Sequence, residues 1–482
     1  MPESGSRTLD ETKIWHLPEA RIYKARSGFR EKLAVTRYKF GEIISGIVET
    51  RIEADDHRVL PEILSEVPGK KSLEWARRLS EVECRNTTYL GDDWPIFWKK
   101  AEGVNVWDVD GNRFLDMTSG FGVAGLGYGF TGDALREQSA SLVHAMGDVH
   151  PARVKVELCE ALSEITFEKW VGEKGKCLFG NSGFEAVEAA LKTAVIATRR
   201  SGILSFEGGY HGLGYGALLG QGIDWFREPF EGQMAKVTQR LSFPRTEEEL
   251  DKFTDELWKL DGLAIGAVLV EPIQGRGGIV VPPKGFLKIL REWCDTVGAI
   301  LIFDEIYTGF WRTGKMFACE WEGVVPDLIC LGKALSGGFP ISVCVGRAEV
   351  MDAWPPSEGE ALHTSTFLGN PMGCAMAIEA IRRYREPGTE SVVEAAATNL
   401  QEALAGLGTL NCVKEIRGRG LMMGVETDSG DRVLEAVKGL LRDGVIALPD
   451  GPIGDVVAMT PPLSISREEV EFAIRRLREH LG

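Results

Sequence analysis

The centre of the chain alternates short, unbroken apolar runs with stretches in which apolar residues return every three or four positions. Leu263 to Pro272 (LAIGAVLVEP), Ala299 to Phe303 and Leu328 to Leu331 are runs of the first kind, bounded by polar residues, Gly or Pro. That pattern predicts strands buried on both faces of a parallel sheet. Phe286, Leu287, Ile289, Leu290, Trp293 and Val297 follow the second spacing and predict a helix between two of the runs. Strand, helix, strand is a parallel crossover unit, which is right-handed in nearly all sheets. Ligands of open α/β sheets bind in the crevice beyond the carboxyl ends of the strands. Glu271, Asp304 and Lys333 all fall at such ends.

The flanks read differently. Ser72 to Glu83 has helical spacing, with Ser72 as N-cap and Leu73, Ala76, Leu79 and Val82 on one face. VWDVDGNRFLD, beginning at Val106, predicts a hairpin turning at Asp110-Gly111, a frequent turn dipeptide. From about residue 380 helical and strand patterns alternate up to a last helix, Arg467 to Leu481, with Glu468 and Glu469 at its positive end. The chain is expected to divide into an N-terminal extension over 1–85, the N-terminal part of a small domain with a linking segment over 86–150, a large domain over 151–375 and the C-terminal small domain over 376–482.

A chain of 482 residues buries a large core. Its formal net charge of −16 argues against a nucleic-acid or anionic-membrane surface, and its basic pairs, such as Arg199-Arg200, are too short to form one. Nine cysteines without CxxC or zinc-ligand spacing predict reduced thiols and no metal centre. No run of 18 apolar residues occurs, and the first residues lack an apolar signal-like stretch. A cytoplasmic protein is therefore expected.

Asp304 and Lys333, brought to one sheet edge, are the pair that pyridoxal phosphate chemistry needs. The lysine holds the cofactor as a Schiff base, and the acid keeps the pyridine nitrogen protonated so that the ring acts as an electron sink. Gly180 to Lys192 (GNSGFEAVEAALK) adds a small-residue turn opening a helix, whose N-terminal N–H groups suit a phosphate.

With WDVDGNRFLD, FEGGYHGLGYGAL, VEPIQGRGGIVVPPKGFL, DEIYTG, LGKALSGG, TSTFLGNP, RGRGLMMGVE and TPPLSIS in this order, the chain from about residue 95 resembles the class III aminotransferases, the ornithine/4-aminobutyrate/ω-amino acid group. The resemblance implies the α/β architecture of fold-type I pyridoxal phosphate enzymes. That is a large domain with a mostly parallel seven-stranded sheet between helices, plus a smaller α+β domain from both chain ends. It implies Lys333 as Schiff-base and proton-moving residue, Asp304 at the pyridine nitrogen, Ser182, Gly183 and Phe184 at the phosphate, and Tyr210 stacked on the ring. His211 beside it is open between a structural hydrogen bond and catalysis. Tyr307, where relatives have Gln or Val, is expected at the ring oxygen. Thr366 is expected to reach the cofactor phosphate of a second copy, which makes the active unit a homodimer. The implied reaction passes an amino group from an amine or ω-amino acid to a keto acid such as pyruvate or 2-oxoglutarate, in two half-reactions through pyridoxamine phosphate. An aminomutase or racemase on the same scaffold would share these residues.

Two positions depart from the family pattern. Many relatives bind a substrate carboxylate with an Arg shortly before PPL, where this chain has Ala458. Their QGEGG Glu, which pairs with that Arg, is Arg276 here. Arg276 is accordingly expected to be a relocated carboxylate anchor, the alternative being a loop ion pair without recognition. Phe121 and Trp94 are expected on the substrate wall.

Overall fold

The computed structural model describes residues 60–482 of the chain; the extension predicted over 1–85 lies mostly outside them. A seven-stranded sheet runs in the order Gly175–Gly180, Ser342–Arg347, Leu328–Leu331, Ile300–Asp304, Ile265–Val270, Gly202–Phe206, Thr238–Leu241. Ser342–Arg347 is antiparallel to both neighbours and the remaining pairs are parallel. The three apolar runs of the sequence are neighbours at its centre, and every residue of Ile265–Val270 and Leu328–Leu331 is buried. The expected crossover helix spans Phe286–Val297 and buries Phe286, Leu287, Leu290, Trp293 and Cys294. On the other face lies Gly183–Thr198, whose small Ala186, Ala189, Ala190 and Ala194 let it sit close to the sheet.

Two further sheets join distant parts of the chain. Trp98–Glu102, Asn105–Asp108 and Arg113–Asp116 form the expected hairpin and its neighbour, and Arg113–Asp116 takes Val445–Ile446 as a parallel partner. Val413–Arg419, Met422–Thr427, Val456–Met459 and Leu448–Asp450 form an antiparallel sheet. The last helix, Arg467–Leu481, starts at Ser466, whose N–H donates to the Glu469 carboxylate at 2.8 Å.

The first helix corrects the sequence reading. It spans Lys70–Ser80 and is capped by Gly69, one turn before the expected Ser72. Its orphan N–H groups find a carboxylate from elsewhere: Lys71 N–H and Ser72 N–H donate to Asp110 at 2.8 and 2.9 Å. Of the four residues on the expected apolar face only Ala76 is buried. Ser72 and Ala76 are buried, whereas Leu73 is 40% and Val82 84% exposed. The preceding residues also pack on the hairpin, through Glu62 bridged to Arg113 and Leu64 N–H donating to Asn112 Oδ1 at 2.8 Å.

Candidate active site

The carboxyl ends of the central strands deliver the site. Ile300–Asp304 ends in a carboxylate that is 4% exposed. Its Oδ2 lies 2.8 Å from Nδ1 of the buried His211, and its Oδ1 accepts the Ile306 N–H at 3.1 Å. Both oxygens are thereby oriented. Strand alternation turns Glu305 the other way, where it accepts from Thr308 Oγ1 and from the N–H groups of Ala318 and Cys319.

The neighbouring strand, Leu328–Leu331, leads through Gly332 into Lys333, at φ +43°. A left-handed conformation costs a non-glycine residue about 1–3 kcal/mol and persists only where its surroundings impose it. Here Tyr384 Oη donates to the next carbonyl, Ala334, at 3.0 Å, and Leu335 is fully buried. Lys333 Nζ lies 4.1 Å from the centre of the Tyr307 ring, and among the described residues it has no hydrogen bond or ion pair. Burial pushes its pKa down, against the opposing pull of Asp304, Glu271 and Asp450.

Tyr307 is wedged between two glycines. A Cβ on Gly275 would sit 2.4 Å from its ring, and one on Gly122 2.6 Å from the opposite edge. These two positions must lack a side chain for the ring to lie under the lysine. The phenol is 3.1 Å from Thr460 Oγ1, so its hydroxyl is engaged within the chain. Burial raises its pKa to about 12, which keeps it protonated.

Ser182 caps Gly183–Thr198, and the Glu185 carboxylate accepts the N–H groups of Asn181 and Ser182. Gly183 N–H and Phe184 N–H have no partner among the described residues, leaving donors at a helix N-terminus free. The Tyr210 ring meets Phe226 edge to face, and its N–H donates to Glu271 at 2.8 Å. Glu271 accepts Gly275 N–H with its other oxygen at 2.9 Å, and burial raises it to about 7.

Where relatives carry an arginine, Ala458 is buried with Ile273, Ile279 and Met422, and Tyr307 packs on this apolar group. Arg276 Nη1 is 3.1 Å from Oδ1 of Asp450, at the end of Leu448–Asp450. Asp450 was missed in the sequence because its Pro-Asp-Gly setting reads as a turn. The signal available was Arg276 itself, a charge out of its usual place that needs a partner. Trp94 packs with Val106, Phe114 and Ile446, a cluster separate from the one around Ala458. Phe121, also at positive φ, is 62% exposed. Thr366 is exposed, next to the exposed Phe367.

The residues present fit pyridoxal phosphate. They offer free N–H donors for a phosphate, an oriented buried carboxylate and an unpaired buried amine, two of them at adjacent strand ends. Comparison with known proteins agrees with this arrangement. The family model described as aminotransferase class-III matches residues 89–481. An acetylornithine aminotransferase of Methanopyrus kandleri is 37% identical, over 80% of this chain and 94% of its own length. A 4-aminobutyrate aminotransferase of Mycobacterium leprae is 35% identical, over 87% of this chain and 98% of its own. The solved structure of an (S)-enantioselective omega-transaminase from Thermomicrobium roseum superposes with a TM-score of 0.78 at 27% identity, covering 85% of this chain and 98% of that one. The chain belongs to the class III aminotransferases, enzymes of pyridoxal phosphate-dependent amino-group transfer on a fold-type I scaffold.

Proposed function

We propose that the chain moves an amino group from a primary amine or ω-amino acid to a keto acid, pyruvate or 2-oxoglutarate among the candidates, in two half-reactions at Lys333. Pyridoxal phosphate, when bound, supplies the electron sink that lets the C–H bond at the amine-bearing carbon break. Gly183 and Phe184 N–H, with Ser182, would hold its phosphate, and Tyr210 would cover one ring face. Asp304, aligned by His211, would hold a proton on the pyridine nitrogen. Lys333 is the attachment point. Its amine, made less basic by burial, takes the proton from the donor carbon and returns it on the other side of the reacting system. With the keto acid the same amine moves a proton in reverse. Tyr307 lies against Lys333 Nζ and limits where that amine can swing. Arg276, half exposed and paired with Asp450, would receive the acceptor's carboxylate.

The observation that carries this reading is the unpaired Lys333 amine at the same sheet edge as the His211-held Asp304 carboxylate. Thr366 lies on an exposed segment beside exposed apolar side chains, Leu362 and Phe367, which supports a homodimer with Thr366 serving the second copy's phosphate. All nine cysteines are unpaired, as suits a cytoplasmic enzyme. Among the described residues no helix is long and apolar enough to cross a membrane.

The test follows the visible absorbance of the protein with pyridoxal phosphate. A donor amine alone should abolish the band of the bound cofactor, and a keto acid should restore it. A band that persists while an amino acid is racemised or rearranged would replace this reading with an isomerase.

A further inference from the structure

Amino transfer leaves one charged side chain of the site without a task. Asp450 is 6% exposed, at the end of Leu448–Asp450, where it pairs across to Val456. It is tied to the Lys333 pocket through Arg276, which directly follows Gly275, and Gly275 lies against the Tyr307 ring that faces Lys333 Nζ at 4.1 Å. Arg276 Nη1 stands 3.1 Å from Oδ1, yet Oδ1 makes no directed hydrogen bond. An ionised carboxylate has room for about four such bonds, and an oxygen left without one in a buried place is costly. The other two carboxylates of the site are already supplied. Glu271 takes two backbone N–H groups, and Asp304 takes His211 and the Ile306 N–H.

The two members of the pair differ in freedom. Asp450 is buried in a strand, and Gly451 N–H donates to the Arg276 carbonyl at 3.3 Å, so the loop backbone is tied beside it. The Arg276 guanidinium, by contrast, is 43% exposed and can turn out to solvent without moving that backbone. Nearby Ile279, Met422 and Ala458 are apolar and offer no competing polar group.

Resting on the proposal that the Lys333 pocket transfers amino groups, we infer that Asp450 recognises a second ammonium group on the amino donor, so that the favoured donors are diamines. The second ammonium brings three N–H donors to the under-supplied carboxylate and releases Arg276 to water. A donor without a distal charge leaves the Arg276–Asp450 pair closed. A keto acid engages Arg276 and is kept off Asp450 by like charge. The pair thus sorts ligands by the sign of their far end.

The experiment compares 1,4-diaminobutane with pentan-1-amine, its singly charged isostere, in the donor half-reaction of the holoenzyme. The ratio of kcat/KM values should favour the diamine by about tenfold or more in the wild type, as charge-assisted hydrogen bonds allow. It should fall about tenfold in Asp450→Asn and rise in Arg276→Gln, which removes the competitor. Calorimetry with N,N,N′,N′-tetramethyl-1,4-diaminobutane, which has no transferable amine, reads the same site without turnover, and its affinity should fall in Asp450→Asn. Folding of each variant is checked by its cofactor absorbance and melting temperature. An unchanged ratio and unchanged affinity in Asp450→Asn, or a ratio that falls in Arg276→Gln, overturns the inference. If no amine alters the wild-type cofactor band, amino transfer itself fails, while the calorimetric result still decides whether Asp450 binds a dication.

Discussion

The two sides of the Lys333 pocket are built by different means. On one side Asp304 and Lys333 end adjacent strands of a buried sheet, and His211, the Ile306 N–H and the Tyr384–Ala334 hydrogen bond fix the groups or their backbone. On the other, Arg276 comes from a loop and Asp450 from a separate antiparallel sheet, and they meet in an ion pair with one member half exposed. The first side is rigid because the sheet fixes it, and rigidity is what moving a proton between defined atoms requires. The second side is held by one ion pair with an exposed member, and under the proposed reading it receives donors and acceptors of opposite charge in turn.

The contrast predicts that changes on the first side abolish the reaction, whereas changes on the second redirect it. Lys333→Ala should slow the donor half-reaction by about a thousandfold or more, read by stopped-flow absorbance, because proton movement by a positioned group contributes on that order. A loss below tenfold would mean that another base works there.

A second effect concerns Glu271, which follows the strand Ile265–Val270 and accepts the Tyr210 and Gly275 N–H groups. Burial raises its pKa from the ordinary range to about 7, and Asp450 is likewise raised to about 6. The unfolded chain then binds fewer protons than the folded one across the window from about pH 4.5 to 7. The contribution is therefore intact below that window and is lost as pH rises through 7, at a cost of up to about 3 kcal/mol for Glu271. Glu271→Gln should flatten this decline, so that its melting temperature gains on the wild type between pH 5 and 8. A gap that stays constant with pH would refute the assignment.

On the second side, Arg276→Ala should raise KM for the keto acid by about tenfold or more while altering the rate with a monoamine donor less, the signature of a lost carboxylate contact. Wild-type kinetics with the acceptor would leave Arg276 as Asp450's partner alone. The smallest effect lies outside the pocket. Asp110→Ala removes the carboxylate that caps Lys70–Ser80 and should cost about 1 kcal/mol in chemical denaturation, with the donor half-reaction retained.

What was legible in the sequence follows the same division. The central strands and their helix stand out because burial on both faces leaves unbroken apolar runs, and those runs alone put Asp304 and Lys333 at one sheet edge. The capping of Lys70–Ser80 was hidden because its carboxylate belongs to a hairpin turn 38 residues away, a contact no local pattern encodes. Asp450 was hidden for the same reason. A Pro-Asp-Gly stretch looks like any turn until the antiparallel sheet brings it to Arg276. Tyr307 shows the intermediate case. Its proximity to the site was readable from the motif, but the engagement of its hydroxyl by Thr460, 153 residues away, was not.

The central claim is that the unpaired amine of Lys333 is where the chemistry happens. It is tested most directly by reducing the protein–pyridoxal phosphate complex with borohydride, digesting it and locating the pyridoxyl group by mass spectrometry. The account predicts one modified peptide, carrying the group on Lys333, and none when a donor amine has first consumed the bound cofactor. Modification of a different lysine, with Lys333 recovered unmodified, would contradict it.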